Sequence, residues 1–145
     1  MKTIDVTDNS GNIIQLDWLI KAEPVHRQLR PMLPADYVVR LRQVFNNGAR
    51  MMLAVNEEQV VGVAVWRLIE NTYEGLRLYV DDLVTDENER SKGFGKLLLQ
   101  QLEVKARDFG CDVLTLDSGV QRAAAHKFYF REGMHIPSYC FRKSL

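Results

Sequence analysis

Arg90-Ser91-Lys92-Gly93-Phe94-Gly95-Lys96 decides how this chain is read. An alternating apolar run, Leu76 to Thr85, leads into it, and a helical pattern, Leu97 to Phe109, leads out. A glycine-rich turn thus joins a strand to a helix start. Gly93 and Gly95 lack Cβ atoms, so a ligand can approach the main chain closely. The first turn of a helix carries N–H groups without internal acceptors, and the helix dipole adds partial positive charge there. Lys92 and Lys96 add full charges at the same place. The combination predicts an anion site, suited above all to phosphate.

Two familiar phosphate motifs do not fit. A P-loop needs Gly, four residues and then Gly-Lys-Ser/Thr, and that spacing is absent. The dinucleotide fingerprint Gly-x-Gly-x-x-Gly fails because position 98 is Leu. What stands here is Arg-x-x-Gly-x-Gly after a strand ending Leu83-Val84-Thr85-Asp86. This resembles the acyl-CoA pyrophosphate motif of the GNAT superfamily of N-acetyltransferases. Ala125-His126-Lys127-Phe128-Tyr129, followed by Gly133-Met134, resembles that family's last helix and the strand after it. The resemblance runs from about Leu76 to the C-terminus and is weak before Arg50. Within it, Arg122 to Arg131 looks most like small bacterial members, including those that acetylate aminoalkylphosphonates.

The resemblance implies an N-acetyltransferase using acetyl-CoA as cosubstrate. Amides from Ser91 to Lys96, with Arg90 ahead of them, would cradle the pyrophosphate. The main chain of Leu83, Val84 and Thr85 would meet the pantetheine arm, with the Leu83 amide as oxyanion donor. That requires the strand to splay from its neighbour. Tyr129 occupies the family's tyrosine position and becomes the acid for the leaving thiolate, since a phenol donates without ionising at neutral pH. Strict alternation places Tyr79, Asp81 and Leu83 on one strand face and Leu78, Val80 and Asp82 on the other. Asp81 is then the candidate base, with Tyr79 and Asp82 on the acceptor side; a bulge near Leu83 would bring in Asp82 instead. Arg122 stands where many family members carry Asn, and could reach a phosphate of CoA or of an anionic acceptor. His126, one helical turn before Tyr129, could tune it, or be a hydrogen-bonded structural histidine.

The remaining pattern is consistent with one such domain over residues 1–145. Lys2 to Val6 reads as a strand and Thr7 to Asn12 as a turn. Asp17 could cap a helix from Trp18 to about Leu29, interrupted by Pro24. Ala35-Asp36 opens a second helix, ended by Asn46-Asn47-Gly48. Strands follow at Met51 to Val55 and Val60 to Ile69, with a hairpin turn at Glu57-Glu58. After the long helix, ended by Gly110, come a short buried strand from Val113 to Asp117, a helix from about Gln121 to Arg131, and two last strands around Pro137-Ser138 ending at Tyr139 to Arg142. This order predicts an α/β sandwich, a mixed and mostly antiparallel sheet of six or seven strands flanked by about four helices. Thr7 to Leu16 carries more residues than the family usually has there, so the role of 7–34 stays open.

Bulk properties narrow the function. Lys+Arg and Asp+Glu number 19 each, which argues against a nucleic-acid or membrane-surface partner. The hydrophobic fraction, 46%, fits a globular core rather than disorder. No apolar run approaches a membrane span, and the start has no apolar signal core, so a cytoplasmic protein is expected. Cys111 and Cys140 have no metal or redox spacing, and the histidines are scattered, so no metal is expected. The expected partner is a small primary amine, with a protein or peptide amine second. Exposed C-terminal strand edges would also allow a homodimer. The rival reading is a CoA-binding sensor or partner-binding module that keeps the fold and turns over little.

Overall fold

Met51 to Val55 are apolar without a break, and all of them are buried. A strand buried on both faces reads that way, and the structure, a computed structural model describing residues 1–145, gives each face its own cover. The chain divides into two compact units, Met1–Thr115 and Leu116–Leu145.

The strands, all in the first unit but for the last residue of β5, are β1 (Lys2–Asp5), β2 (Arg50–Asn56), β3 (Gln59–Asn71), β4 (Gly75–Thr85) and β5 (Val113–Leu116), paired in that order. The β1–β2, β2–β3 and β3–β4 ladders are antiparallel. Helices α1 (Leu16–Leu29) and α2 (Tyr37–Asn46) cover one face. Their Leu19, Ala22, Val25, Leu41 and Phe45 pack with Met51, Leu53, Val55, Val63 and Val65. The alternate residues of β3 turn to α3 (Phe94–Asp108): a Cβ on Gly62 would stand 2.9 Å from Leu98 Cδ1, and Trp66 meets Phe109 at 5.8 Å between ring centroids. Gly62 therefore serves close approach of helix to sheet.

The second unit contains α4 (Ala123–Arg131), which Gly133 at φ 85 terminates. The four helices and the mostly antiparallel sheet follow the expected α/β plan, but the sheet has five strands, not six or seven. The two last strands expected around Pro137-Ser138 do not form; Ile136, Tyr139 and Phe141 are exposed. A β pattern in side chains yields a strand only where a backbone edge accepts it, and Pro137 removes a ladder donor from so short a segment.

Two smaller expectations also change. Helix α1 begins at Leu16 with Gln15 as its cap, and Asp17 lies in the first turn instead of capping. The Val6 carbonyl accepts from the amides of Ile14 and Gln15, which fixes the entry earlier. Pro24 sits inside α1 without ending it, because the burial of Leu19, Ala22, Val25 and His26 outweighs the missing N–H. Asp36 caps α2 as the sequence predicts, accepting from the Val39 amide at 3.1 Å.

Candidate active site

β4 ends at Thr85, and a single turn of 3-10 helix, Glu87–Glu89, carries the chain into the glycine-rich loop. Asp86 initiates that turn by accepting from the Asn88 amide at 3.0 Å. Ser91 (φ 63) and Gly93 (φ 91) then adopt left-handed backbone on either side of Lys92. Alternation of this kind turns successive amides toward one concavity, an anion nest. Gly93 caps α3 without a side chain, and the first helical bond runs from the Leu97 amide to the Gly93 carbonyl at 2.9 Å. The amides of Phe94, Gly95 and Lys96 thus have no acceptor within the helix. The Phe94 ring is buried and anchors the helix start, so only its amide faces this task. Lys92 pairs with Glu89 at 3.0 Å, while Arg90 and Lys96 are exposed and have no carboxylate partner. Within Arg90–Lys96 two cations thus stay unpaired, while Asp86, Glu87 and Glu89 just upstream balance the charge of the whole stretch.

Next to this loop runs the far end of β4. The chain enters β5 with the Asp112 amide bonded to the Leu76 carbonyl at 2.9 Å, close to the start of β4. β5 has only four residues against eleven in β4. At about 3.3 Å per residue it is too short to pair with Leu83–Thr85. That segment keeps its ladder to β3, through Ala64, Val63 and Gly62, and has no β5 partner on its other edge.

The alternation along β4 breaks where the sequence reading allowed for it. Asp82 stands opposite Val65 and Val80 opposite Trp66, so Asp81 is an extra, bulged residue. Residues opposite one another share a face. Tyr79, Asp82 and Val84 therefore face the α1 side with Arg67, Val65 and Val63, whereas Val80 and Leu83 face the α3 side. This corrects the strict alternation, which grouped Leu83 with Tyr79 and Asp82 with Leu78. Tyr79 also lies under the Arg77 guanidinium, 5.5 Å from its ring centroid.

The two carboxylates are held differently. Asp81 Oδ2 accepts from Arg67 Nε at 2.8 Å and Nη2 at 2.6 Å, while Oδ1 accepts nothing. Asp82 uses both oxygens: His26 Nε2 lies 2.8 Å from Oδ2, and Arg30 Nε donates to Oδ1 at 2.7 Å. Burial pushes the Asp82 carboxyl up, but the hydrogen bond and charge of His26, then Arg30, outweigh it and hold it below the usual carboxylate range. Asp82 thus favours folding above the ordinary carboxylate pKa, and that contribution is lost as pH falls through the lowered value. His26, 2% exposed, meets the Tyr37 hydroxyl through Nδ1 at 2.8 Å. Burial, then the charges of Glu23 and Asp82, raise the Tyr37 phenol well above its ordinary value and keep it a donor.

In the second unit, Tyr129 is half-buried on α4. Burial raises its pKa, opposed by the charge of Arg122, so it stays protonated at neutral pH. Arg122 is the exposed cap residue of α4. His126 Nε2 donates to the Gly119 carbonyl at 2.8 Å, which ties the helix to the turn before it. No group of three or more His, Cys, Asp or Glu side chains is placed to hold a metal, and no helix is long and apolar enough to cross a membrane.

Arg30, Arg67, His26 and Tyr37 were not singled out from the sequence. A signal existed for His26: it falls on the buried stripe of α1 with Leu19 and Ala22, where a titratable ring needs a partner. The identity of that partner, 56 residues away, had no local trace.

Comparison with known proteins bears on this site. A family model described as the acetyltransferase (GNAT) family matches residues 13–134. An uncharacterized N-acetyltransferase, YhdJ of Bacillus subtilis (strain 168), is 36% identical over 123 residues, covering 83% of this chain and 87% of that protein. The aminoalkylphosphonate N-acetyltransferase of Salmonella typhimurium is 33% identical over 66 residues, 46% of this chain and 43% of that one. Among solved structures, an aminoglycoside acetyltransferase from an uncultured soil metagenomic sample, in complex with sisomicin, superposes with a TM-score of 0.80 at 20% identity, over 99% of this chain and 95% of that one. At that identity the likeness speaks for the fold.

Proposed function

The chain belongs to the acetyltransferase (GNAT) family and is an N-acetyltransferase, and from that premise we propose that it moves an acetyl group from acetyl-CoA to the primary amine of a small molecule by direct attack. One observation carries the cofactor assignment: the bare amides of Phe94, Gly95 and Lys96, behind left-handed Ser91 and Gly93, adjoin a strand end that β5 leaves unpaired. A diphosphate fits the first and an amide-bearing arm fits the second.

In this reading Ser91 to Lys96, with Arg90 and Arg122, hold the phosphates, and the Leu83–Thr85 main chain aligns the thioester. The Leu83 amide donates to the carbonyl oxygen as negative charge grows there. The amine nitrogen bonds to the carbonyl carbon and the carbon–sulfur bond breaks. Asp81, with Oδ1 free, orients the incoming ammonium and takes its proton, directly or through one water. Tyr129 supplies a proton to the leaving thiolate, for which its raised pKa suits it. Tyr79 and Asp82 line the acceptor side. The Asp81 side chain is 22% exposed, a recessed anion that suits a compact ammonium. The names of two relatives, which act on aminoalkylphosphonates and aminoglycosides, point the same way.

A second reading, a CoA-binding sensor with little turnover, draws on the neutralisation of both strand carboxylates by Arg67, Arg30 and His26. An acceptor panel separates the two. Acetyl-CoA is incubated with polyamines, aminoglycosides, amino acids, aminophosphonates and peptides, and thiol release is followed. We expect turnover with a small amine, reduced at least about tenfold by Tyr129→Phe at unchanged CoA affinity. CoA binding without thiol release from any acceptor would leave the sensor.

A further inference from the structure

Four side chains form one line through the first unit: Tyr37 of α2, His26 of α1, Arg30, the cap residue after α1, and Asp82 of β4. Asp82 as a carboxylate only accepts, so His26 Nε2 carries the hydrogen between them. The other ring nitrogen, Nδ1, meets the Tyr37 hydroxyl, so every polar group in the line has a partner. The inner end is closed, since Tyr37 is 2% exposed. The inner end therefore offers a proton no exit to solvent. The line's contribution to stability does not by itself explain it, because apolar packing of equal volume would serve as well.

Its outer end gives the reason. Arg30 Nη2 reaches Asp82 Oδ1 at 2.6 Å and also donates to the main-chain carbonyl of Asp81 at 3.1 Å. Asp81 is the bulged residue, the one without an opposite number on β3. His26 in the last turn of α1 and Arg30 at its cap, whose amide bonds the His26 carbonyl at 3.0 Å, grip two consecutive residues of the bulge. Asp81 is gripped from the other side by Arg67 of β3. A bulge free to migrate by one residue would exchange the faces of its neighbours. Here migration by one position would set Asp81 opposite Val65 or Trp66 and swing its free oxygen away, loosening the strand just ahead of Leu83–Thr85.

We propose that His26 and Arg30 are positioning residues which, through Asp82, pin the β4 bulge so that the Asp81 carboxylate and the Leu83–Thr85 main chain meet amine and thioester in reacting geometry. This rests on the acetyltransferase reading above. Because they act on alignment and not on the phosphate loop, they govern kcat far more than acetyl-CoA binding.

The test compares Arg30→Met, His26→Leu and His26→Gln in the full chain. Arg30 is half-exposed, so Arg30→Met keeps its packing stem and folds. Arg30→Met and His26→Leu should each lower kcat about 100-fold, the scale of a misplacement near 1 Å, with the Kd for acetyl-CoA changed by less than about threefold. His26→Gln keeps a donor toward Asp82 and should recover most of the loss. Should His26→Leu not fold, Arg30→Met decides alone. An unchanged kcat in Arg30→Met, or equal losses in kcat and CoA binding, overturns the proposal. If the wild type binds CoA but acetylates nothing, the acetyltransferase reading has failed separately. Pinning is then read from amide hydrogen exchange at Leu83–Thr85: at least about tenfold faster exchange in Arg30→Met supports it, and unchanged exchange refutes it.

Discussion

The loop Arg90–Lys96 and the bulge at Asp81–Asp82 prepare for their ligands by opposite means. The loop leaves groups unsatisfied: Gly93 caps α3 with no side chain, and the first-turn amides wait for an outside acceptor. The bulge satisfies nearly everything: of four carboxylate oxygens only Asp81 Oδ1 is unengaged. A polyanion needs many donors and tolerates some play, so main chain suffices. A single proton acceptor must sit within hydrogen-bond reach of one nitrogen, so it is braced from α1 and β3. The loop should accordingly be injured by adding a side chain and the bulge by removing one.

The largest effect is expected at the loop. Gly93 has φ 91, and a Cβ there would meet no atom within 4 Å. Gly93→Ala therefore strains the backbone by about 1–2 kcal/mol without a clash. Gly93→Asp adds a negative charge in the phosphate seat, and CoA affinity should fall about 1000-fold or more, with the domain still folded by circular dichroism. Titration calorimetry on both variants separates strain from charge. Binding by Gly93→Asp as tight as by Gly93→Ala would move the phosphates elsewhere.

At the bulge, Asp81→Asn preserves shape and leaves an amide oxygen for Arg67, but removes the charge facing the amine. With Asp81 as base, kcat should fall about 100-fold while CoA affinity holds. A kcat within about threefold of wild type would assign deprotonation to water alone. Together the two variants should dissociate binding from chemistry, one at each region.

The same contrast explains how much could be read before the structure was in hand. The loop is local: a strand, two glycines, flanking cations and a helix stand in one short run, and its chemistry belongs to main chain that any residue supplies. Helix α2 was legible for the same reason, because Asp36 and Val39 are neighbours in sequence. Alternation along β4 was readable up to Val80, but not the bulge, which depends on register against β3. Nor could residues one position apart be assigned to different tasks, since the partners of Asp82 lie 52 and 56 residues away, at the cap and in the last turn of α1. The last two strands failed in the opposite sense, for their side-chain pattern was present while Pro137 removes a ladder donor from so short a segment.

The smallest effect tests the loop by its counterpart at the start of α2. Asp36 does for that helix what phosphate is proposed to do for α3, accepting from a first-turn amide at 3.1 Å. Asp36→Ala leaves the α2 start open with nothing in solution to close it, and should destabilise the fold by about 1 kcal/mol. For a chain of this size that lowers Tm by about 3 °C, measured by thermal melting. CoA should raise the Tm of Asp36→Ala as much as that of wild type, because its seat is at the other helix, but should not raise that of Gly93→Asp. Equal protection of all three by CoA would mean that an open helix start is not what receives it.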